Sequence, residues 1–244
     1  MPDLVDQIAQ NVETITQRIH SAATAAGRNP GQVRLVVVSK GQPVEVIEAA
    51  LRAGVVLLGE NYPEESQAKI LHLQGKYPIE WHMIGHLQSR KADIVARHFD
   101  YYQSLDRLEI ADKMNRLLSQ QNRVLPVLLE FNTAAEETKS GWDASQETLW
   151  NNLLAPVRQI IQLPHLEIRG LMAMPPMSAD PEQTRPYFAR LRRLRDFLQS
   201  NLPDLNLAEL SMGTSSDFEI AVQEGSTIVR IGTAILGPRP RRLA

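Results

Sequence analysis

The chain of 244 residues contains no cysteine. That excludes a disulfide scaffold, cysteine-ligated zinc, an iron–sulfur cluster and thiol catalysis. Net charge is also nearly absent: 26 Lys and Arg against 28 Asp and Glu leave −2. Proteins that grip nucleic acid or an anionic membrane are usually more basic, so neither partner is expected. No apolar run approaches the ~18 residues of a membrane span. The opening MPDLVDQIAQ lacks the basic and apolar regions of a signal peptide, which predicts a cytoplasmic protein. What the chain does have is material for a core, with 43% apolar residues. No linker, composition shift or low-complexity segment divides it, so 1–244 reads as a single domain.

Leu4, Val5, Ile8, Val12, Ile15, Ile19, Ala22 and Ala26 recur at spacings of three and four, which predicts an amphipathic helix over 4–26. The continuous run Leu35–Val38 suits a strand covered on both faces. Further strands are predicted at 55–58, 81–84, 101–105, 124–131, 166–174, 207–212 and 228–236, with a helical stretch between each consecutive pair. Strict alternation argues for parallel strands with right-handed crossovers. Eight units fit a closed (β/α)₈ TIM barrel; an open doubly wound sheet is the alternative, although no GxGxxG follows the first strand. The eighth strand is not followed by a helix of its own, and the extra N-terminal helix is expected to cover that gap.

In such a barrel the working residues sit at the C-terminal ends of strands. Lys40 follows the first strand and shares the inward register of Val36 and Val38. Loss of hydration there would lower its pKa and favour attack on a carbonyl; a lysine snorkelling to the rim is the plainer reading. Arg230 interrupts the apolar run IVRI and needs an acceptor, either a structural carboxylate such as Glu60 or Asp106 or a ligand. The seventh strand runs into Ser211-Met212-Gly213-Thr214-Ser215-Ser216 and the eighth into Gly232-Thr233, small hydroxyl-bearing loops of the kind that hold phosphate. Closure puts strand eight beside strand one. A phosphorylated aldehyde could then bridge the loops and Lys40, as in Schiff-base chemistry with pyridoxal phosphate or a sugar phosphate.

The segments VVVSKGQP, GENYPEE, WHMIGHLQSRK, EETKSGW, GLMAMPP and LSMGTSSDFEIAVQEGSTIVRIGTAILGPR resemble the pyridoxal-phosphate homeostasis proteins, a family similar to the N-terminal barrel of alanine racemase. The resemblance spans about 33–239. It implies a fold-type III barrel that holds pyridoxal 5'-phosphate as a Schiff base on Lys40, with Arg230 facing the pyridine nitrogen. It implies phosphate contacts from Ser211, Gly213, Thr214, Ser215, Gly232 and Thr233, and a pocket lined by Asn61, Met83 and His86. Thr214 stands where many relatives have methionine. The basic tail, 238–244, has no role in the resemblance.

An arginine on the ring nitrogen is a donor only, so the nitrogen stays unprotonated and the ring is a weak electron sink. Racemisation would need a second base, for which Tyr62 is the sole tyrosine at a suitable strand end. No catalytic residues are therefore assigned. The expected role is cofactor storage and delivery, affecting vitamin B6 and amino-acid balance, by a monomer whose partners are the cofactor and pyridoxal-phosphate-dependent apo-enzymes. A racemase or lyase, an aldolase using Lys40, and an interaction protein docking through ARLRRLRDF are the alternatives. His82 and His86 lie four apart but outside any HExxH pattern, and no metal is expected.

Overall fold

A computed structural model describes residues 3–134, 136 and 139–240. The elements are α1 (Leu4–Ala25), β1 (Arg34–Val38), α2 (Val44–Arg52), β2 (Leu57–Glu60), α3 (Pro63–Leu73), β3 (Glu80–Met83), α4 (Ala92–His98), β4 (Tyr101–Leu105) and α5 (Leu108–Ser119). There follow β5 (Leu125–Asn132), β6 (Trp142–Asp143), α6 (Asn151–Ile161), β7 (Leu166–Met172), α7 (Arg185–Asn201), β8 (Glu209–Ser211), α8 (Phe218–Gln223), β9 (Ile228–Ile231) and α9 (Thr233–Leu236). All strand pairs are parallel. The order β4-β3-β2-β1-β9-β8-β7-β5 is closed by a β4–β5 pairing, which makes an eight-stranded barrel; β6 adds to β5 at the rim. The barrel reading holds and the open sheet does not.

Strand alternation sorts the side chains into two cores. Val36, Tyr101, Leu128, Met172 and Ile228 form a layer inside the barrel. Val37, Leu58, Trp81, Met83 and Leu129 face outward into the larger layer under the helices. Helix α1 covers the β1/β9 seam, packing on α8, α2 and α9. Ile8, Ile15, Ile19, Ala22 and Ala23 form its buried stripe. Asn11 Nδ2 donates to Ile235 O at 2.9 Å, and Arg18 forks onto Glu219 at 3.1 and 2.8 Å. The N-terminal helix thus takes the place of an eighth crossover helix.

Three differences from the expected elements have local causes. The second strand starts at Leu57 rather than residue 55, because Val55 N–H is still turned back to Ala50 O after α2. The last strand ends at Ile231, and 233–236 form α9 with Gly232 as its cap. The two-residue β6 was too short to carry a periodic signal.

Gly170 is the glycine with the least room for a side chain. It pairs with Glu209 across β7 and β8, and a Cβ there would lie 1.8 Å from Glu209 O. Gly170→Ala must therefore spread the two strands and is expected to cost about 3 kcal/mol. Urea denaturation checks this; an unchanged midpoint and slope would show that the sheet yields there freely.

Candidate functional site

At the C-terminal mouth of the barrel is a cavity of ≈ 130 Å³. Its floor and walls come from β1, β2, β3 and β9 through Val38, Lys40, Asn61, Ile84, Arg230 and Gly232. Met174, Thr214, Ser215, Thr233 and Arg239 complete it from the loops. Of the sequence-derived set, Lys40, Asn61, Thr214, Ser215, Arg230, Gly232 and Thr233 converge on this one space.

Lys40 is on the inward register, as the alternation required. Its pKa is lowered, first by burial and then by the facing charges of Arg239 and Arg230, with Glu60 opposing. Arg230 is 3% exposed. It donates through NH1 to Ser211 Oγ at 2.5 Å and through NH2 to Ala173 O at 3.1 Å. No carboxylate among the described residues lies within ion-pair distance of it. Burial lowers its pKa to about 10, with Glu130 and Asp217 opposing, so it stays charged at neutral pH.

The two structural acceptors considered for Arg230 are both engaged elsewhere. Glu60 faces the helices and pairs with Lys69 at 2.9 Å. Asp106 takes Arg107 at 2.6 Å and His86 at 2.7 Å. A buried guanidinium without a counter-charge, at a cavity wall, suits an incoming anionic or electron-rich ligand.

Below Arg230 a directed chain of hydrogen bonds runs down the barrel axis. Ser211 Oγ accepts from Arg230 and so donates to Gln103 Oε1 at 2.6 Å. That fixes the amide, and Gln103 Nε2 donates to His82 Nδ1 at 2.7 Å. The His82 proton is then on Nε2, which sits 2.9 Å from Glu80 Oε1. Burial lowers the His82 pKa, in keeping with a neutral ring. The ring also stacks on Tyr101 with centroids 4.9 Å apart.

Four expected pocket residues lie outside the cavity wall. Met83 is fully buried on the helix-facing side of β3, since His82 takes the inward position; its neighbour Ile84 lines the cavity instead. Ser211 is fully buried beneath Arg230, with its hydroxyl committed to the chain just described. Gly213 has φ +94° and lies against α8, where a Cβ would come within 2.6 Å of Ala221 Cβ. His86 is on the rim beside Asp106 and Ser140. Both Ser140 Oγ and Asp106 reach the same ring nitrogen, Nδ1, so the three do not form a Ser–His–Asp relay.

Ile84, Met174 and Arg239 are wall residues that motif reading missed. Arg239 belongs to the basic tail, of which 241–244 are outside the described residues; its side chain lies over Gly41. A larger groove, ≈ 600 Å³, opens at the other end of the barrel and includes Arg28, Arg34, Arg192 and Arg195. Its guanidiniums are already used: Arg28 donates to Val222 O, Arg34 pairs with Glu80 and Arg192 with Glu224. It also has no nucleophile.

Glu130 is a second inward residue missed from the sequence. It is 9% exposed, and its Oε2 has no partner. Burial, and then the charge of Asp106, raise its pKa to about 7, against the pull of Arg230 and Lys139. The fold therefore prefers the protonated carboxyl. The folded state binds the extra proton between the unfolded value, 4.5, and about 7, so stability falls as pH rises through that window and not beyond it. The full penalty is about 3 kcal/mol. Glu130→Gln removes it. The variant should gain on the wild type from pH 5 to 7 in denaturant melts and hold that gain to pH 8; a pH-independent difference would refute the assignment.

The chain is similar to the alanine racemase N-terminal domain: the model of that family matches residues 5–240, which span the closed barrel. An alanine racemase of Clostridium difficile shares that fold (TM-score 0.68, 15% identity, covering 97% of this chain and 58% of that one). Nearer relatives define the family within it. The "Pyridoxal phosphate homeostasis protein" of Pasteurella multocida is 43% identical over 233 residues, 95% of this chain and 97% of that protein. Its Escherichia coli counterpart is 39% identical over 239 residues, 96% and 98% of the two chains. PipY of Synechococcus elongatus, solved with PLP bound, superposes with TM-score 0.81 at 34% identity, covering 95% of this chain and 100% of that one. The chain belongs to the pyridoxal phosphate homeostasis protein family.

Proposed function

We propose that the protein holds pyridoxal 5'-phosphate reversibly through Lys40 and serves cofactor homeostasis rather than turnover. The observation that carries this is the pairing, on one small cavity, of a depressed lysine amine with a buried arginine that has no carboxylate. These groups fit the cofactor: an amine for its aldehyde, and cationic and hydroxyl groups for its ring and phosphate. Bound pyridoxal phosphate supplies an electrophilic carbonyl and a ring able to accept electrons. Arg230 would hold the ring nitrogen as an acceptor and keep it proton-free. Thr214, Ser215, Gly232 and Thr233 would take the phosphate, with Asn61 beside the ring; Asn61 Oδ1 is buried without a partner.

Among the cavity-lining residues Lys40 is the one base that works near neutral pH. Tyr62, the racemase alternative, is 52% exposed and is not part of the wall. With one base and a weakened electron sink, abstraction and return of a Cα proton from opposite faces has no support. The names of the curated relatives point the same way. In this reading the partners are pyridoxal-phosphate-dependent apo-enzymes, and the protein acts as a cytoplasmic, single-domain monomer. No helix among the described residues is long and apolar enough to cross a membrane. Borohydride reduction of the loaded protein and peptide mapping test the attachment: a single label at Lys40 is expected, and one elsewhere would overturn it. Incubation with an apo-enzyme tests delivery by recovery of that enzyme's activity, and D-alanine formation from L-alanine would reveal a racemase.

A further inference from the structure

Helix α3 and strand β2 build a buried ionic network under the Lys40 segment, outside the barrel. Lys69, with its side chain 9% exposed, donates to Glu60 Oε1 at 2.9 Å, Glu65 Oε1 at 2.8 Å and Ser39 O at 3.2 Å. An ammonium has three N–H bonds, so all are used. Glu60, fully buried, also accepts from Ser39 Oγ at 2.7 Å and Ser66 Oγ at 3.2 Å. Glu65 also accepts from Gly41 N–H at 2.9 Å. The network therefore grips the hydroxyl and carbonyl of the residue before Lys40 and the amide of the residue after it.

A buried ion pair is weak evidence for stability, because desolvation offsets its attraction. Apolar packing could join α3 to β2 at lower cost. The Lys40 amine's other charged neighbours, Arg230 and Arg239, are cations, and Glu60 is the carboxylate that opposes them. We infer that Glu60, Glu65 and Lys69 are positioning residues for Lys40: they hold the 39–41 backbone so that the amine enters the cavity beside Arg230 and Arg239, with the Glu60 carboxylate bonded to the residue before Lys40. This deepens the proposed function and rests on it only for the cofactor's identity.

The groups acting on Lys40 are Arg239 from the tail, Arg230 from β9 and Glu60 from β2, and Glu60 opposes the other two. Removing its charge must lower the Lys40 pKa further. The test is competitive acetylation of the cofactor-free full chain with trace acetic anhydride, from pH 6 to 11, with Lys40 read by mass spectrometry against exposed Lys76. Glu60→Gln is expected to move the Lys40 midpoint down by about half a unit or more. Glu65→Leu frees the Gly41 amide; it should slow pyridoxal phosphate capture by about tenfold, with Glu65→Gln restoring most of the rate. Wild-type Lys40 profiles and capture rates in both variants would overturn the inference. Acetylation needs no cofactor, so a shifted midpoint in a protein that captures no pyridoxal phosphate would sustain the network's role and reject the proposed function instead.

Discussion

Lys40→Ala is expected to retain no borohydride-fixed pyridoxal phosphate and to lose the visible absorbance of the loaded protein, while its thermal midpoint stays within a few degrees of wild type. The other lysines near the mouth are engaged: Lys139 Nζ donates to Met174 O at 3.2 Å and Pro175 O at 3.1 Å. Lys69, the other lysine near the segment, lies on α3 outside the barrel, and its three donors are committed to Ser39, Glu60 and Glu65. A nitrogen held by three acceptors outside the barrel is not placed to attack a carbonyl in the cavity. The fold should tolerate the loss because Lys40 has an unfavourable setting, desolvated and opposed by two arginines. Removing a charge from such a place relieves repulsion as much as it removes packing. Reversible, non-covalent uptake should persist through Arg230 and the phosphate loops, detectable by equilibrium dialysis and abolished by dilution. A covalent label of wild-type yield in Lys40→Ala would show that another amine does the chemistry.

The barrel was legible because its signal is periodic. Each strand contributes a short apolar run, each crossover an amphipathic stripe, and eight repetitions average out errors at single boundaries. Register along one strand was legible too: Val36, Val38 and Lys40 share a face, and they meet in the cavity and the layer below it. Parity also explains where the expected pocket and the cavity wall differ. Met83 and Ile84 are adjacent apolar residues, and composition does not say which is inward; the ring of His82, locked to Gln103 and stacked on Tyr101, decides it.

What stayed hidden is what depends on two distant segments meeting. Gln103 lies in a strand that reads as plain, YYQSL, and Ser211 reads as a phosphate ligand; only closure shows that the hydroxyl of one is bonded to the amide of the other, 108 positions apart. Glu60 reads as a possible acceptor for Arg230 and Glu65 only as part of GENYPEE, because nothing local says that Lys69 folds back beneath them. Glu130 is one acidic residue in an apolar run, and its interest lies in the missing partner. Arg239 reads as part of a basic tail until the chain brings it over Gly41.

Arg230→Gln carries the second large effect. A glutamine can replace one of the two hydrogen bonds, to Ser211 or to Ala173 O, but not both together with a donor toward the ligand. Losing one charge-assisted hydrogen bond in a buried site costs about 1.5–3 kcal/mol, so pyridoxal phosphate affinity should fall by roughly 10- to 150-fold in a spectral titration. Arg230→Lys keeps the charge without the planar fork and should recover part of that. The variant also acts at a distance through Glu130, because Arg230 is the cation that most restrains that carboxyl's pKa. Without it the Glu130 pKa should climb above about 7, and the pH window of falling stability should extend upward by the same amount. The combination Arg230→Gln with Glu130→Gln should abolish that extension while leaving the affinity loss intact. If affinity returned in the double variant, the loss would stem from the unpartnered Glu130 carboxyl rather than from the missing guanidinium, and Arg230 would serve the barrel core rather than contact the ligand.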